Sequence, residues 1–155
     1  MARYYRKRTY RKKNRYNIEA RPFTSETWST ENNFRQSQVV IVPPSNTEGV
    51  RKAGRFTINF DNNNGYTYYW ALVYVPEGAT TSGLFPNSTT ILNPSNYVLA
   101  TGILGSSSAN PRIYCKLFKN LKANDQIMLY LATSTSNNAS NSQLQGLIRY
   151  AVAYN

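Results

Sequence analysis

Residues 54–76, GRFTINFDNNNGYTYYWALVYVP, carry the clearest fold information in this chain of 155 residues. In GRFTINF, phenylalanine and isoleucine alternate with polar residues, which is the period-two pattern of a half-buried strand. The run DNNNG (61–65) is a strong turn. The nearly continuous apolar run that follows, over 67–76, predicts the most buried strand of the fold, with Trp70 in its core. These strands favour an all-β fold.

Outside this stretch, short apolar or alternating segments are separated by runs of Gly, Pro, Asn and Ser. They predict five more strands, at 37–42, 97–104, 112–118, 126–133 and 144–154. The last of these is expected to pair with an early strand. An eighth strand is expected in 23–31 or 88–92, and no helix of ten residues is predicted.

Alternation also predicts which side chains face the core. In the first strand of the opening stretch, the core set is Phe56, Ile58 and Phe60, and the opposite set is Arg55, Thr57 and Asn59. In RIYCKLF (112–118), the core set is Ile113, Cys115 and Leu117, and the opposite set is Arg112, Tyr114, Lys116 and Phe118. The single cysteine is therefore predicted to be a small buried hydrophobe rather than a reactive thiol.

Many short strands with turn-rich links predict a sandwich or a barrel. The fold class expected is all-β, with one folded body over 35–155 and a disordered or extended basic N-terminal arm. Residues 17–34 are predicted to be a polar connector, because Pro22 stops a helix and no apolar period is sustained.

The first sixteen residues, MARYYRKRTYRKKNRY, contain eight basic residues, no acidic residue and four tyrosines. Such a block repels itself until a polyanion neutralises it, and each cation on a phosphate releases counterions. Tyrosine rings add faces on which unpaired bases can stack. Residues 1–16 are therefore predicted to be a nucleic-acid-binding arm. The binding residues expected are Arg3, Tyr4, Tyr5, Arg6, Lys7, Arg8, Tyr10, Arg11, Lys12, Lys13, Arg15 and Tyr16.

Other uses of a basic segment fit less well. A transit peptide would be rich in Ser, whereas the first serine is Ser25, and a membrane-surface helix would need an apolar stripe. A nuclear-localisation signal has the same composition and is compatible with nucleic-acid binding in one segment. The charged N-terminus leads into no apolar stretch, so neither a secretory signal nor membrane insertion is predicted.

Composition argues against an enzyme. The chain has no histidine and one cysteine, and its seven carboxylates form no metal-binding or catalytic cluster in the sequence. No catalytic residue, metal or cofactor is predicted. The net charge of +11 is concentrated in the arm, which supplies +8, while residues 17–155 carry ten basic and seven acidic groups, or +3.

A basic, aromatic-rich arm joined to a small all-β body resembles the capsid proteins of circovirus-like and nanovirus-like single-stranded DNA viruses. The resemblance lies in the arm RYYRKRTYRKKNRY, the strands GRFTINF and YYWALVYVPEG, the segment LNPSNYVLATG and the C-terminal GLIRYAVAYN. It implies that the body over 35–155 is a single eight-stranded jelly-roll sandwich, and that about sixty copies of the chain form an icosahedral T=1 shell with the arms inside. In such a shell, the polar loops 77–96 and 134–143 are candidates for the outer surface or for subunit contacts. It also implies single-stranded nucleic acid, DNA in this family, as the packaged partner.

A capsid protein of this kind is found in the virion and in the host nucleus during assembly, so host import machinery and an unspecified cell-surface receptor are further expected partners. Two nucleic-acid-binding alternatives stay open: the coat protein of a satellite RNA virus, and a non-viral OB-like β-barrel module that forms no shell. Lys116, Lys119 and Lys122 are the close basic group of the body that the barrel would use. A cupin-type enzyme would need metal-binding histidines, which this chain lacks. A lectin-type module would leave the arm unexplained.

Overall fold

The computed structural model describes residues 16–25, 29–31, 34–46, 49–61, 66–79, 97–105, 111–134 and 144–154. Within these ranges the chain forms nine β-strands and no helix. The described residues therefore include no helix that could cross a membrane. The strands are β1 (Asn17–Ser25), β2 (Ser29–Glu31), β3 (Phe34–Val42), β4 (Arg51–Asp61), β5 (Tyr68–Val75), β6 (Val98–Leu104), β7 (Arg112–Leu121), β8 (Gln126–Ser134) and β9 (Leu144–Tyr154).

The strands form two antiparallel sheets with the strand order of a jelly roll. One sheet has the order β1-β9-β4-β7, and the other has the order β2-β3-β8-β5-β6. Without the short β2, the remaining eight strands pair from the outside inward: β1 with β9, β3 with β8, β4 with β7, and β5 with β6. This nested pairing confirms the predicted eight-stranded jelly-roll sandwich.

The core lies between the two sheets. Phe56 and Ile58 of β4 pack in one buried cluster with Leu72 of β5 and Leu129 of β8, all fully buried. Trp70 is also buried in this cluster, as predicted. Six of the eight β5 residues are buried, which confirms that 67–76 contains a core strand.

All seven predicted strands are present, with ends that differ by at most three residues. The alternation predicted for β4 is confirmed, because Phe56, Ile58 and Phe60 are buried while Arg55 is exposed. The C-terminal β9 pairs with the early strands β1 and β4, as expected.

The prediction of a polar connector over 17–34 is wrong where the structure describes that segment. Residues Asn17–Ser25 are an edge strand paired with β9 along their whole length, and β2 pairs with β3. The sequence hides β1 because an edge strand buries little: only Phe23 and Ser25 are buried in it. Phe23 packs edge-on against Phe60, with ring centroids 5.6 Å apart, so it covers one edge of the core. Segment 88–92, the other candidate for the eighth strand, lies outside the described residues.

The predicted core position of Leu117 is also wrong, since this side chain is 51% exposed. Between the pairs Phe56↔Cys115 and Gly54↔Phe118, β7 advances three residues while β4 advances two. Residues 116 and 117 of β7 therefore lie opposite the single residue Arg55 of β4 in a β-bulge, and the irregular backbone there leaves Leu117 out of the core. Beyond the bulge, Leu121 is buried again. Cys115, on the other side of the bulge, is free and buried as predicted.

Candidate nucleic-acid interface

Of the twelve residues predicted to bind nucleic acid, the structure describes Tyr16. The other eleven lie outside the described residues: Arg3, Tyr4, Tyr5, Arg6, Lys7, Arg8, Tyr10, Arg11, Lys12, Lys13 and Arg15. Tyr16 immediately precedes β1, so the arm joins the sandwich at an edge of the four-stranded sheet. The root of the arm is thereby tied to a rigid element rather than to a free linker.

Tyr16 packs on the solvent side of this sheet. Its ring lies 5.2 Å from the ring of Phe118, centroid to centroid. Phe118 lies across Gly54, where a Cβ atom would come within 2.5 Å of the phenylalanine ring. The Lys52 ammonium and the Arg55 guanidinium lie 5.4 and 5.6 Å from the Phe118 ring centroid, within cation–π range. Two aromatic rings and two cations therefore lie together where the arm meets the four-stranded sheet.

Strand β1, which follows the arm, is held to β9 by a side-chain contact as well. The Tyr150 hydroxyl donates a hydrogen bond to the Glu19 carboxylate, directly across the β1–β9 pair. Burial, and then this hydrogen bond, raise the pKa of Tyr150 above its usual value. Arg21 also forms an exposed ion pair with Glu19, at 3.5 Å. Glu19 is therefore already engaged by side chains of the sandwich.

The three lysines that the sequence grouped together do not form one cluster. Lys116 lies 6.0 Å from the ring centroid of Tyr114, whereas Lys119 lies 4.2 Å from that of Tyr74, a residue of the other sheet. The basic group that would have favoured a barrel module is thus divided between a sheet face and an end of the sandwich.

At that end, Asp125 ties the end of β5 to the turn between β7 and β8. Its buried carboxylate accepts hydrogen bonds from the Tyr74 hydroxyl (2.7 Å), the Lys122 amide (2.8 Å) and the Glu77 amide (3.2 Å). Burial opposes ionisation of Asp125, but these hydrogen bonds outweigh it and lower its pKa. Burial, and then the bond to Asp125, raise the pKa of Tyr74 to about 12. All the donors belong to the fold, so this carboxylate is structural.

Arg51 completes the same region. Its guanidinium donates to the backbone carbonyl oxygens of Pro43 (2.9 Å) and Asp125 (3.0 Å), and the residue is buried. A buried arginine with two carbonyl acceptors holds loops in place and is not available to an external anion. Sequence reasoning missed this role, because nothing in RKAGRF distinguishes Arg51 from a solvated cation.

Sequence reasoning also missed a group of three arginines from three strands. Arg55, Arg112 and Arg149 line one depression on the outer face of the four-stranded sheet. Alternation had assigned Arg55 and Arg112 to the side opposite the core, but only the pairing of strands brings them together. In the described part of the chain, no group of three His, Cys, Asp or Glu residues is placed to hold a metal ion.

The chain matches no protein-family model and no curated protein. Among solved structures it is similar to Desmodium yellow mottle tymovirus, at 11% identity over 92% of this chain and 89% of that chain, with a TM-score of 0.42. It is similar to the empty head of turnip yellow mosaic virus at 8% identity, over 99% of this chain and 89% of that chain, with a TM-score of 0.43. The cleaved adhesin domain K3 of Lys-gingipain from Porphyromonas gingivalis gives 10% identity, 85% and 72% coverage and a TM-score of 0.33.

At these identities and TM-scores the likenesses assign neither a family nor a function. The class of fold, a jelly-roll sandwich, rests on the strand order of this chain itself.

Proposed function

We propose that this protein is a viral coat protein, which assembles into a closed shell and packages single-stranded nucleic acid with residues 1–16. The observation that carries the proposal is the direct junction between the basic arm and β1, an edge strand of a jelly roll. A packed sandwich supplies a rigid tile with loops and sheet edges for lateral contacts. The arm supplies the affinity for a polyanion.

The uneven distribution of charge supports separate roles for the two parts. The arm carries +8 and the remainder +3, so the body can pack against its own copies with little mutual repulsion. Self-repulsion between arms opposes assembly until nucleic acid neutralises them. Nucleic acid is therefore expected to promote assembly, and assembly is expected to be sensitive to salt.

The capacity of such a shell follows from the same charges. In a T=1 particle of about sixty subunits, arms of +8 supply about 480 positive charges, and whole chains of +11 about 660. With one negative charge per nucleotide, these would largely neutralise roughly 500–1,000 nucleotides, the remainder being neutralised by small cations. One short single-stranded segment is the cargo that fits. We infer DNA as the genome, with assembly in the host nucleus and the arm as the import signal.

The mechanism needs no reading of base sequence. Arg and Lys side chains of the arm pair with phosphates, and its tyrosines stack on unpaired bases, which every base permits. The role is structural rather than enzymatic. The alternative of an OB-like barrel does not match the fold, because the described strands form two separate sheets.

Light scattering coupled to size-exclusion chromatography, with absorbance at 260 and 280 nm, tests the proposal. The chain has a mass of 17.6 kDa. A species of about 1 MDa with nucleic acid inside is expected. A monomer or dimer at every salt concentration and pH, binding nucleic acid stoichiometrically, would contradict the shell and favour a nucleic-acid-binding module.

Two arm variants make the test specific. Replacing the eight basic residues of the arm with Gln should abolish the bound nucleic acid while leaving the far-ultraviolet circular dichroism of the body unchanged. Scrambling the order of residues 2–15 is the matched control, because it keeps composition and charge. The scrambled arm should package as the parent does, and a loss of packaging would show that the order of residues matters, against a purely electrostatic and stacking mechanism.

A further inference from the structure

The outer face of the four-stranded sheet carries its own set of cations. In one row across the sheet, Arg149 of β9 and Tyr114 of β7 flank Thr57 of β4. In the next row, Arg112 of β7 is paired with Asn59 of β4. Strands β9 and β7 therefore place one arginine on each side of a polar strip formed by β4.

The bulge in β4 adds a third arginine to this face. Between Gly54 and Thr57, β4 carries one residue more than β9, and Arg55 has a φ of 55° there. A non-glycine residue in this left-handed region is uncommon and costs about 1 kcal/mol or more. The strained backbone is thus occupied by a long cation, at a position where glycine would cost least.

Arg55, Arg112 and Arg149 line one open depression with a volume of about 270 Å³, together with Thr57 and Asn59. All three arginines are exposed. Among the residues that the structure describes, none of the three forms an ion pair with a carboxylate. Exposed guanidinium groups without a carboxylate partner are available to phosphate oxygens, which arginine binds through charge-assisted and often bidentate hydrogen bonds.

An exposed aromatic ring accompanies the arginines. Tyr114 is 54% exposed and lies in the same row as Arg149, with the ammonium of Lys116 at 6.0 Å from its ring centroid. A cationic surface with an exposed ring is the combination that binds single-stranded nucleic acid without sequence preference.

The same face continues to the root of the arm. The side chain of Arg55 lies both at the depression and against the ring of Phe118, and Phe118 contacts Tyr16. A strand bound by the arm can therefore pass from Tyr16 across Phe118 to the arginines without leaving the protein surface.

We propose that this face, defined by Arg55, Arg112, Arg149 and Tyr114, is a second binding site for the sugar–phosphate backbone of single-stranded nucleic acid. It would bind the same ligand as the arm, so its assignment rests on the proposed function. The arm captures the polyanion, and the face then holds part of it against the sheet. The competing use of the face, contact with a second copy of this chain, is decided by the experiment below.

The test compares two full-length double variants that lose equal charge. Arg112→Gln with Arg149→Gln removes two cations from the face. Lys119→Gln with Lys122→Gln removes two cations from the end of the sandwich and is the matched control. Binding of fluorescently labelled oligothymidylate and oligouridylate is measured by anisotropy over a range of salt concentrations, and light scattering reports the oligomeric state of each variant.

On a single strand, each phosphate contact contributes about 0.7 to the magnitude of the slope of log K against log salt. Loss of two phosphate contacts should therefore reduce this magnitude by about 1.4. Extrapolated from 1 M to 0.1 M salt, that slope difference amounts to a roughly 25-fold weaker affinity. The lysine control should retain the parent slope. Equal losses in the two variants would overturn the assigned site, because net charge alone would then explain the binding.

Photocrosslinking locates the contact independently. A bromodeoxyuridine oligonucleotide should crosslink to the peptide that contains Tyr114, and not to Tyr154, which is 59% exposed at the end of β9. The fully neutralised arm variant separates the two proposals. If that variant loses binding while the Arg112/Arg149 variant keeps it, the face is refuted and the arm stands. If neither variant affects binding, the proposed function fails as well.

A change of oligomeric state without a change in the salt slope would assign the face to contacts between copies and overturn the second site. If oligothymidylate and oligouridylate respond equally to the Arg112/Arg149 change, the face binds the phosphate backbone, as proposed. If only one of them responds, the face reads the sugar or the base, which would overturn backbone binding as its basis.

Discussion

Replacing Asp125 with Asn should destabilise the fold at neutral pH and leave it nearly unchanged in acid. The carboxylate is buried, and it accepts three hydrogen bonds, from Tyr74, Lys122 and Glu77. Asn keeps one oxygen, which can continue to accept from the Glu77 amide. Its NH2 group replaces the oxygen that accepts from both Tyr74 and Lys122. The tyrosine hydroxyl can rotate and accept instead, but the Lys122 amide cannot.

The magnitude follows from that count. One buried amide left without an acceptor costs about 1–3 kcal/mol, and exchanging charge-assisted hydrogen bonds for neutral ones adds about 1 kcal/mol. We expect the free energy of unfolding to fall by about 3 kcal/mol at pH 7. Urea titration followed by tryptophan fluorescence measures this change.

The pH dependence identifies the carboxylate as the cause. The pKa of Asp125 is lowered in the folded protein, whereas an unfolded Asp titrates near a pKa of about 3.9. The stabilisation is therefore fully present above about pH 4 and is lost as the pH falls through the folded value. The difference between parent and variant should shrink below about pH 4.

Asp61→Asn is the matched control, since Asp61 is an exposed carboxylate at the end of β4, and it should change stability by less than about 0.5 kcal/mol. The reasoning would be refuted if the difference in the free energy of unfolding between the parent and Asp125→Asn stayed constant from pH 7 into strong acid.

Four further changes follow from the structure. Arg55→Gly should raise the free energy of unfolding by about 0.5–1 kcal/mol in denaturant titration, because glycine relieves the left-handed backbone, while nucleic-acid binding weakens. Gly54→Ala should cost at least about 2 kcal/mol, since its Cβ would lie 2.5 Å from the Leu117 carbonyl oxygen, and a neutral result in the same titration would show that the bulge relaxes. Phe56→Ala should cost about 3–5 kcal/mol at a fully buried site, measured as a lower urea midpoint with an unchanged m-value. The pKa of Tyr74 is about 12 in the folded protein against the usual 10.0, so the tyrosine stabilises the fold below about pH 10 and this stabilisation is lost as the pH rises through 12. Tyr74→Phe should therefore lose less stability than the parent protein at alkaline pH. Thermal unfolding at several alkaline pH values checks it, and parallel curves for parent and variant would contradict it.

Alternation of apolar and polar residues was enough to predict most of the fold. The segment GRFTINF and the run TYYWALVYVP became β4 and β5 because burial on one face or both faces leaves a direct trace in composition. The edge strand β1 left no such trace, since only Phe23 and Ser25 are buried in it. Its pairing with β9 is set by the backbone of a strand more than a hundred residues away.

The predicted site divides in the same way. The arm was recognisable from local composition, because eight cations and four tyrosines in sixteen residues need no partner to reveal their chemistry. The face formed by Arg55, Arg112 and Arg149 was not recognisable, since its members are scattered along the sequence. The lysines near 119 were grouped by proximity in sequence, yet Lys116 contacts Tyr114 of its own strand and Lys119 contacts Tyr74 of the other sheet.

By itself, then, the sequence determined seven of the strands, the all-β class and the basic arm, all of which depend on residues close together in the chain. The tertiary structure alone decided the nested pairing of strands, the inclusion of β1 in the sheet, the exposure of Leu117 and the convergence of three arginines. The physical reason is that hydrophobic periodicity records only whether a side chain is buried. The strand that lies beside it, and the register of that pairing, are set by hydrogen bonds and bulges between distant segments.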